Sequence, residues 1–65
     1  MKTKELIRKL RKAGVSIIDR RGRGSHVLAI FGDRQATIPY HSADLGTIFC
    51  RELCKQLGLD PKEVL

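Results

Sequence analysis

The chain has 65 residues and a formal net charge of +6. A chain of this length buries only ~60% of the surface that its unfolded form exposes, which excludes a second domain and a deep pocket for a small metabolite. The charge is uneven, because residues 1–23 carry nine Lys or Arg against two acids and the remainder carries four against five. This asymmetry favours a single domain, residues 1–65, that attracts nucleic acid or an acidic protein.

No apolar run reaches the length of a signal-peptide core or a membrane span, so we expect a cytoplasmic protein without membrane contact. Cys50 and Cys54 stand four apart in a helical pattern, which places them on one helix face and does not suit a disulfide. A metal pair completed by His26 or His41 is an alternative, but the spacing matches no zinc signature and buried packing is favoured. We expect neither a metal nor a cofactor.

The first predicted helix begins near Thr3, a candidate N-cap, and ends at Gly14. One face is nearly all basic, and the other carries apolar residues at helical spacing: Leu6, Ile7, Leu10 and Ala13. Residues 15–20 are rich in β-branched side chains and predict a strand, which an Arg/Gly loop over 21–24 follows.

Residues 26–31 and 34–38 predict a hairpin, because Gly32-Asp33 between them suits a two-residue turn. That turn sets the register, which pairs Phe31 with Arg34, Ala29 with Ala36, Val27 with Ile38, Ile30 with Gln35, Leu28 with Thr37, and His26 with Pro39. The face carrying Val27 and Ala29 is mostly apolar and should meet the core. His26 therefore belongs to the outer, open face of the sheet.

A second helix is predicted over residues 46–57, with Asp44 as a candidate cap and Gly58 as its stop. Its predicted apolar stripe comprises Ile48, Phe49, Leu53 and Leu57. Asp60-Pro61 then predicts a short terminal helix. The order α-β-β-β-α indicates an α+β fold in which both helices cover one face of a three-stranded antiparallel sheet.

The candidate site is Gly24-Ser25-His26, which follows Arg20, Arg21 and Arg23. Histidine both takes and gives a proton near neutral pH, and guanidinium groups attract phosphate. RNA carries its own nucleophile, the 2′-hydroxyl, so cleavage needs little more than a proton acceptor and positive charge on the phosphate. By position alone, His26 is better explained as a hydrogen-bonded surface histidine.

Three segments together resemble HicA-type toxins of toxin–antitoxin pairs: Gly24-Ser25-His26, residues 37–41, and residues 46–59, which include the second predicted helix. The resemblance implies a fold like that of double-stranded-RNA-binding domains, ribosome-independent mRNA cleavage with His26 as the catalytic histidine, and inhibition by a HicB-type antitoxin. Candidate RNA-binding residues are then Lys9, Lys12, Arg20, Arg21, Arg23, Gly24 and Ser25.

The chain departs from the family pattern in two places. Residues 43–45 stand where members often have a lysine, which weakens the expectation of a lysine contact there. Leu28 and Ile30 are more apolar than the usual outer face, so we expect the antitoxin to cover them.

Two further residues and two rival functions remain open. His41 is either a second acid/base near His26 or a loop histidine bonded to the backbone, and Tyr40 either stacks on a base or covers the sheet edge. The rival functions are an RNA-binding module without catalysis and an adaptor whose basic helix docks an acidic protein.

Overall fold

The structure, a computed structural model, describes residues 1–20, 26–39 and 44–65. Its elements follow the predicted order: α1 (Thr3–Lys12), β1 (Ser16–Arg20), β2 (His26–Phe31), β3 (Arg34–Pro39), α2 (Thr47–Gln56) and α3 (Pro61–Val64). The predicted α+β architecture is confirmed, and the fold is like that of a double-stranded-RNA-binding domain. No helix in the described ranges is long and apolar enough to cross a membrane.

The three strands form one antiparallel sheet in the order β1-β2-β3. Gly32 in the turn between β2 and β3 has a φ of +64°, a conformation that glycine adopts without steric cost. The register of β2 on β3 is the predicted one, from Phe31 opposite Arg34 to His26 opposite Pro39. The hairpin prediction is therefore confirmed residue by residue.

The core lies between one face of the sheet and the helices. The sheet contributes Val27 and Ala29 from β2 and Ala36 and Ile38 from β3, all buried. Helix α1 contributes Leu6, Ile7 and Leu10, and α2 contributes Cys50, Leu53 and Cys54. Three residues outside the helices and strands complete the core: Val15, Leu45 and Leu57. The alternation of side chains along β2 leaves its even-numbered residues on the opposite, outer face.

The predicted apolar stripe of α2 is wrong in its first turn. Ile48 is 79% exposed and Phe49 37% exposed, whereas Cys50 and Cys54 are buried beside Leu53. Positions 50, 53, 54 and 57 follow helical spacing as well as the predicted set does, and cysteine packs as a small apolar residue. The helix is therefore rotated so that its thiols meet the core.

Two predicted helix caps are also wrong. Thr3 is the first residue inside α1 and is buried, and Lys2 occupies the cap position without a side-chain cap bond. Gly46 occupies the cap position of α2. Asp44 instead accepts a hydrogen bond of 2.7 Å from the amine of Met1, because an ammonium group is a stronger partner for a carboxylate than a backbone N–H.

The predicted helix ends at glycine are confirmed, since Gly14 and Gly58 have φ of +96° and +79°. The start of α3 is also confirmed. The Asp60 carboxylate accepts a hydrogen bond of 3.0 Å from the Lys62 backbone N–H, and Pro61 stands at the first helical position.

Candidate functional site

His26 is the first residue of β2 and is exposed. Its register partners are Arg20 on β1 and Pro39 on β3. Because Val27 faces the core, alternation along the strand directs His26 to the outer face of the sheet. The sheet thus presents an imidazole to solvent on the side away from both helices.

An apolar patch lies beside His26 on the same face. It consists of Ile18, Leu28 and Ile30, and we call it the outer apolar patch. Ile18 is the register partner of Leu28 and is 47% exposed, while Leu28 and Ile30 are half-buried. The sequence pattern identified Leu28 and Ile30 but missed Ile18. Ile18 joins the patch through the register of β1 on β2, and the sequence between the two strands does not specify that register.

The predicted RNA-binding residues divide into three groups. Arg20 is placed next to His26 by the strand register. Lys9 and Lys12 are on α1, which packs on the other face of the sheet, so the structure does not bring them together with His26. The remaining predicted site residues lie outside the described ranges: Arg21, Arg23, Gly24, Ser25, Tyr40 and His41.

The two lysines border grooves on the helix side. Lys12 lines a groove between α1 and β1, and both lysines line a second groove where α1 meets Glu63 and Val64 of α3. An RNA strand that contacted His26 and these lysines together would have to pass around an edge of the sheet.

The thiols of Cys50 and Cys54 are sealed in the core, with residue exposures of 1% and 0%. Burial raises the pKa of both thiols, which keeps them protonated and poorly nucleophilic. A metal site that joins both thiols to His26 is not formed, because His26 is on the outer face. In the described parts of the chain, no three His, Cys, Asp or Glu residues group as a metal site.

Comparison with known families gives one match. A family model described as the HicA toxin of bacterial toxin-antitoxin matches residues 3–59. The chain belongs to the HicA toxin family. It is a toxin of a toxin–antitoxin system, and its partner is an antitoxin. The match covers everything from α1 through the end of α2. Comparisons with curated proteins and with solved structures gave no match.

Proposed function

We propose that this HicA toxin is a metal-independent endoribonuclease that cleaves mRNA with His26 as a general acid/base. The observation that supports it is an exposed imidazole on the open sheet face, with Arg20 as its register partner, in a chain of this toxin family. We further propose that a HicB-type antitoxin inhibits the enzyme by covering this face.

The proposed reaction uses the substrate's own nucleophile. His26 takes the proton of a ribose 2′-hydroxyl, the 2′-oxygen attacks the adjacent phosphorus, and the bond from phosphorus to the 5′-oxygen breaks. The 5′-oxygen leaves with a proton from water or from a second acid, for which His41 is the candidate. The products carry a 2′,3′-cyclic phosphate on one fragment and a 5′-hydroxyl on the other.

Phosphate binding requires positive charge close to the imidazole. Arg20 is the register partner of His26, and guanidinium groups bind phosphate oxygens in a fixed, forked geometry, so we propose it for this role. Backbone N–H groups of a glycine-containing loop add donors without added charge. The proposed phosphate-binding set is Arg20, Arg21, Arg23, Gly24 and Ser25. We assign Lys9 and Lys12 to long-range attraction of RNA, since they lie on the helix side.

The test compares the purified wild-type chain with His26→Ala on an end-labelled, unstructured RNA, with Lys62→Ala as the control for an exposed residue on α3. Loss of a general acid/base lowers the cleavage rate by roughly 10²- to 10⁴-fold. The fold should survive, because His26 is exposed and surface truncations shift stability by only about 0.5 kcal/mol. Circular dichroism checks this.

The same assay tests the remaining parts of the proposal. Cleavage should continue in EDTA, should leave cyclic phosphate ends, and should fail on a strand with 2′-deoxyribose at the cleaved position. Full activity in folded His26→Ala would contradict the assignment of His26. Loss of cleavage in EDTA that Mg²⁺ restores would contradict the metal-independent mechanism.

A further inference from the structure

β1 is an edge strand whose outer backbone groups can be identified from the register. The two-residue turn makes Phe31 and Arg34 a hydrogen-bonded pair, so the odd-numbered residues of β2 bond to β3 and the even-numbered ones to β1. Ile18, opposite Leu28, therefore directs its N–H and C=O toward β2. Ile17 directs its N–H and C=O outward, to an edge where no strand of the described residues pairs.

The other edge of the sheet is protected at two of the outward positions of β3, Gln35 and Pro39. By the same alternation, Gln35 of β3 faces outward, and its carbonyl accepts a hydrogen bond of 3.1 Å from Nε2 of Gln56 on α2. Pro39, also at an outward position, has no N–H to donate. β1 contains no proline, and β-branched residues occupy its centre. Natural sheets protect edges against pairing, so the contrast marks β1 as the edge that accepts a strand.

A basic groove of about 500 Å³ runs along β1 beneath α1. Its aliphatic floor is formed by Ile17 of β1 and Val27 of β2, with Ile7 of α1 as a further aliphatic lining residue; Ile17 is half-buried, whereas Ile7 and Val27 are buried. Among the described residues, four cations line it against a single carboxylate: Lys4, Arg8, Arg11, Lys12 and Asp19. An RNA backbone would leave the exposed part of Ile17 uncovered, and the described lining residues include no aromatic side chain on which a base could stack. An acidic peptide segment with aliphatic side chains complements both the charge and the floor.

We propose that an extended acidic segment of the antitoxin pairs with β1 as a fourth strand of the sheet. Backbone hydrogen bonds to Ile17 would supply affinity, and alternate side chains would fill the groove, as in other cases of strand addition. Its remaining side chains would extend the outer face next to Ile18. One segment would thus reach the groove and the His26 face together. The identity of the partner rests on the antitoxin of the proposed function.

The first test measures amide hydrogen exchange in the free chain and in its complex with the antitoxin. The Ile17 amide should exchange at least about tenfold more slowly in the complex, because it gains a hydrogen-bond partner. The Ile18 amide, already directed to β2, reports any general stabilisation and is the internal reference. An Ile17 amide that slows no more than that of Ile18 overturns the proposal.

The second test concerns the acidic character of the segment. Arg8→Glu with Arg11→Glu changes the groove, and Arg51→Glu with Lys55→Glu on the exposed face of α2 makes the same change in net charge elsewhere. The groove variant should bind the antitoxin at least about tenfold more weakly than the control variant. Equal antitoxin affinities of the two variants overturn the proposal. If the groove variant has in addition lost RNA binding, the groove is an RNA-binding surface and the proposal is equally overturned.

Both tests measure binding and use no cleavage readout. Failure of His26 catalysis therefore leaves them interpretable, and failure of strand pairing leaves the nuclease proposal intact.

Discussion

Replacing Leu28 and Ile30 with aspartate should shorten the lifetime of the complex between this toxin and its antitoxin. Fully burying a Leu or Ile side chain contributes ~1.5–3 kcal/mol relative to exposure. Both residues are already half-buried in the free chain, so coverage by the antitoxin adds about half of that, ~1 kcal/mol each. A loss of ~2 kcal/mol corresponds to about 30-fold faster dissociation, and the cost of burying two carboxylates makes this a minimum.

The effect should appear in dissociation because apolar contacts form after encounter, whereas charges act at a distance. Replacing Lys9 and Lys12 with glutamate should therefore chiefly slow association at low salt, with a smaller effect on dissociation through Lys12, which lines the groove. Association and dissociation rates on immobilised antitoxin, measured at two ionic strengths in a His26→Ala background, separate the two. Ile48→Asp is the control, because it introduces an aspartate, one negative charge against the two of the test variant, at an isoleucine that is 79% exposed on α2.

Dissociation of the doubly substituted chain within about twofold of the Ile48→Asp control would refute the argument, provided that circular dichroism shows a folded chain. Leu28→Ala with Ile30→Ala guards against misfolding. This pair removes most of the apolar area without adding charge and should still speed dissociation by about tenfold. The refuting result would mean that the antitoxin binds elsewhere, and that the outer apolar patch serves another purpose.

The hairpin could be predicted in full because its turn has a fixed length. Two residues between β2 and β3 leave one register, and that register places His26, Leu28 and Ile30 on one face. The position of β1 could not be fixed in this way, since five residues separate it from β2 and a loop of that length permits several registers. Ile18 was missed for this reason, although it completes the outer apolar patch.

The helices show what apolar spacing leaves undetermined. Two overlapping sets of residues in α2 have helical spacing, and only packing decides that Cys50 and Cys54 face inward while Ile48 faces solvent. The cap predicted at Asp44 failed because its partner is the Met1 amine, 43 residues away in sequence, and no local pattern reports such a contact. The Asp60 cap has its partner two residues away and was predicted correctly.

The candidate site also has parts that follow from local sequence and parts that depend on tertiary packing. His26 and the arginines before it are visible in the sequence, and the structure adds that Arg20 is the register partner of His26. The four cations of the groove under α1 all belong to the basic face that the sequence of this helix predicts, whereas the groove itself arises only when α1 packs over β1 and brings aliphatic residues of three elements together. The separation of Lys9 and Lys12 from His26 by the sheet has the same origin.

Two further predictions concern stability. Ile38→Ala should cost ~2–5 kcal/mol, because Ile38 is fully buried. Since ~1 kcal/mol shifts the thermal unfolding midpoint of a small domain by ~4–8 °C, the midpoint should fall by at least ~8 °C. Thr37→Ala, at an exposed position of the same strand, is the control and should change the midpoint little. A shift below ~4 °C for Ile38→Ala would contradict the packing described. The second prediction is a pH dependence. The hydrogen bond to Asp44 raises the pKa of the Met1 amine above its ordinary 8.0, and the same bond lowers the pKa of the Asp44 carboxyl below its ordinary 3.8. The contribution of the raised amine pKa to folding stability is complete below pH 8.0 and is lost as pH rises through that raised pKa. The contribution of the lowered Asp44 pKa is complete above pH 3.8 and is lost as pH falls through that lowered pKa. The unfolding midpoint of wild type should therefore exceed that of Asp44→Asn, most of all between about pH 5 and 7, and the difference should shrink at lower and at higher pH. The difference should be small, because an ion pair on the surface contributes little free energy. A margin that persisted unchanged into strongly alkaline solution would show that Asp44 stabilises the chain through some contact other than the amine.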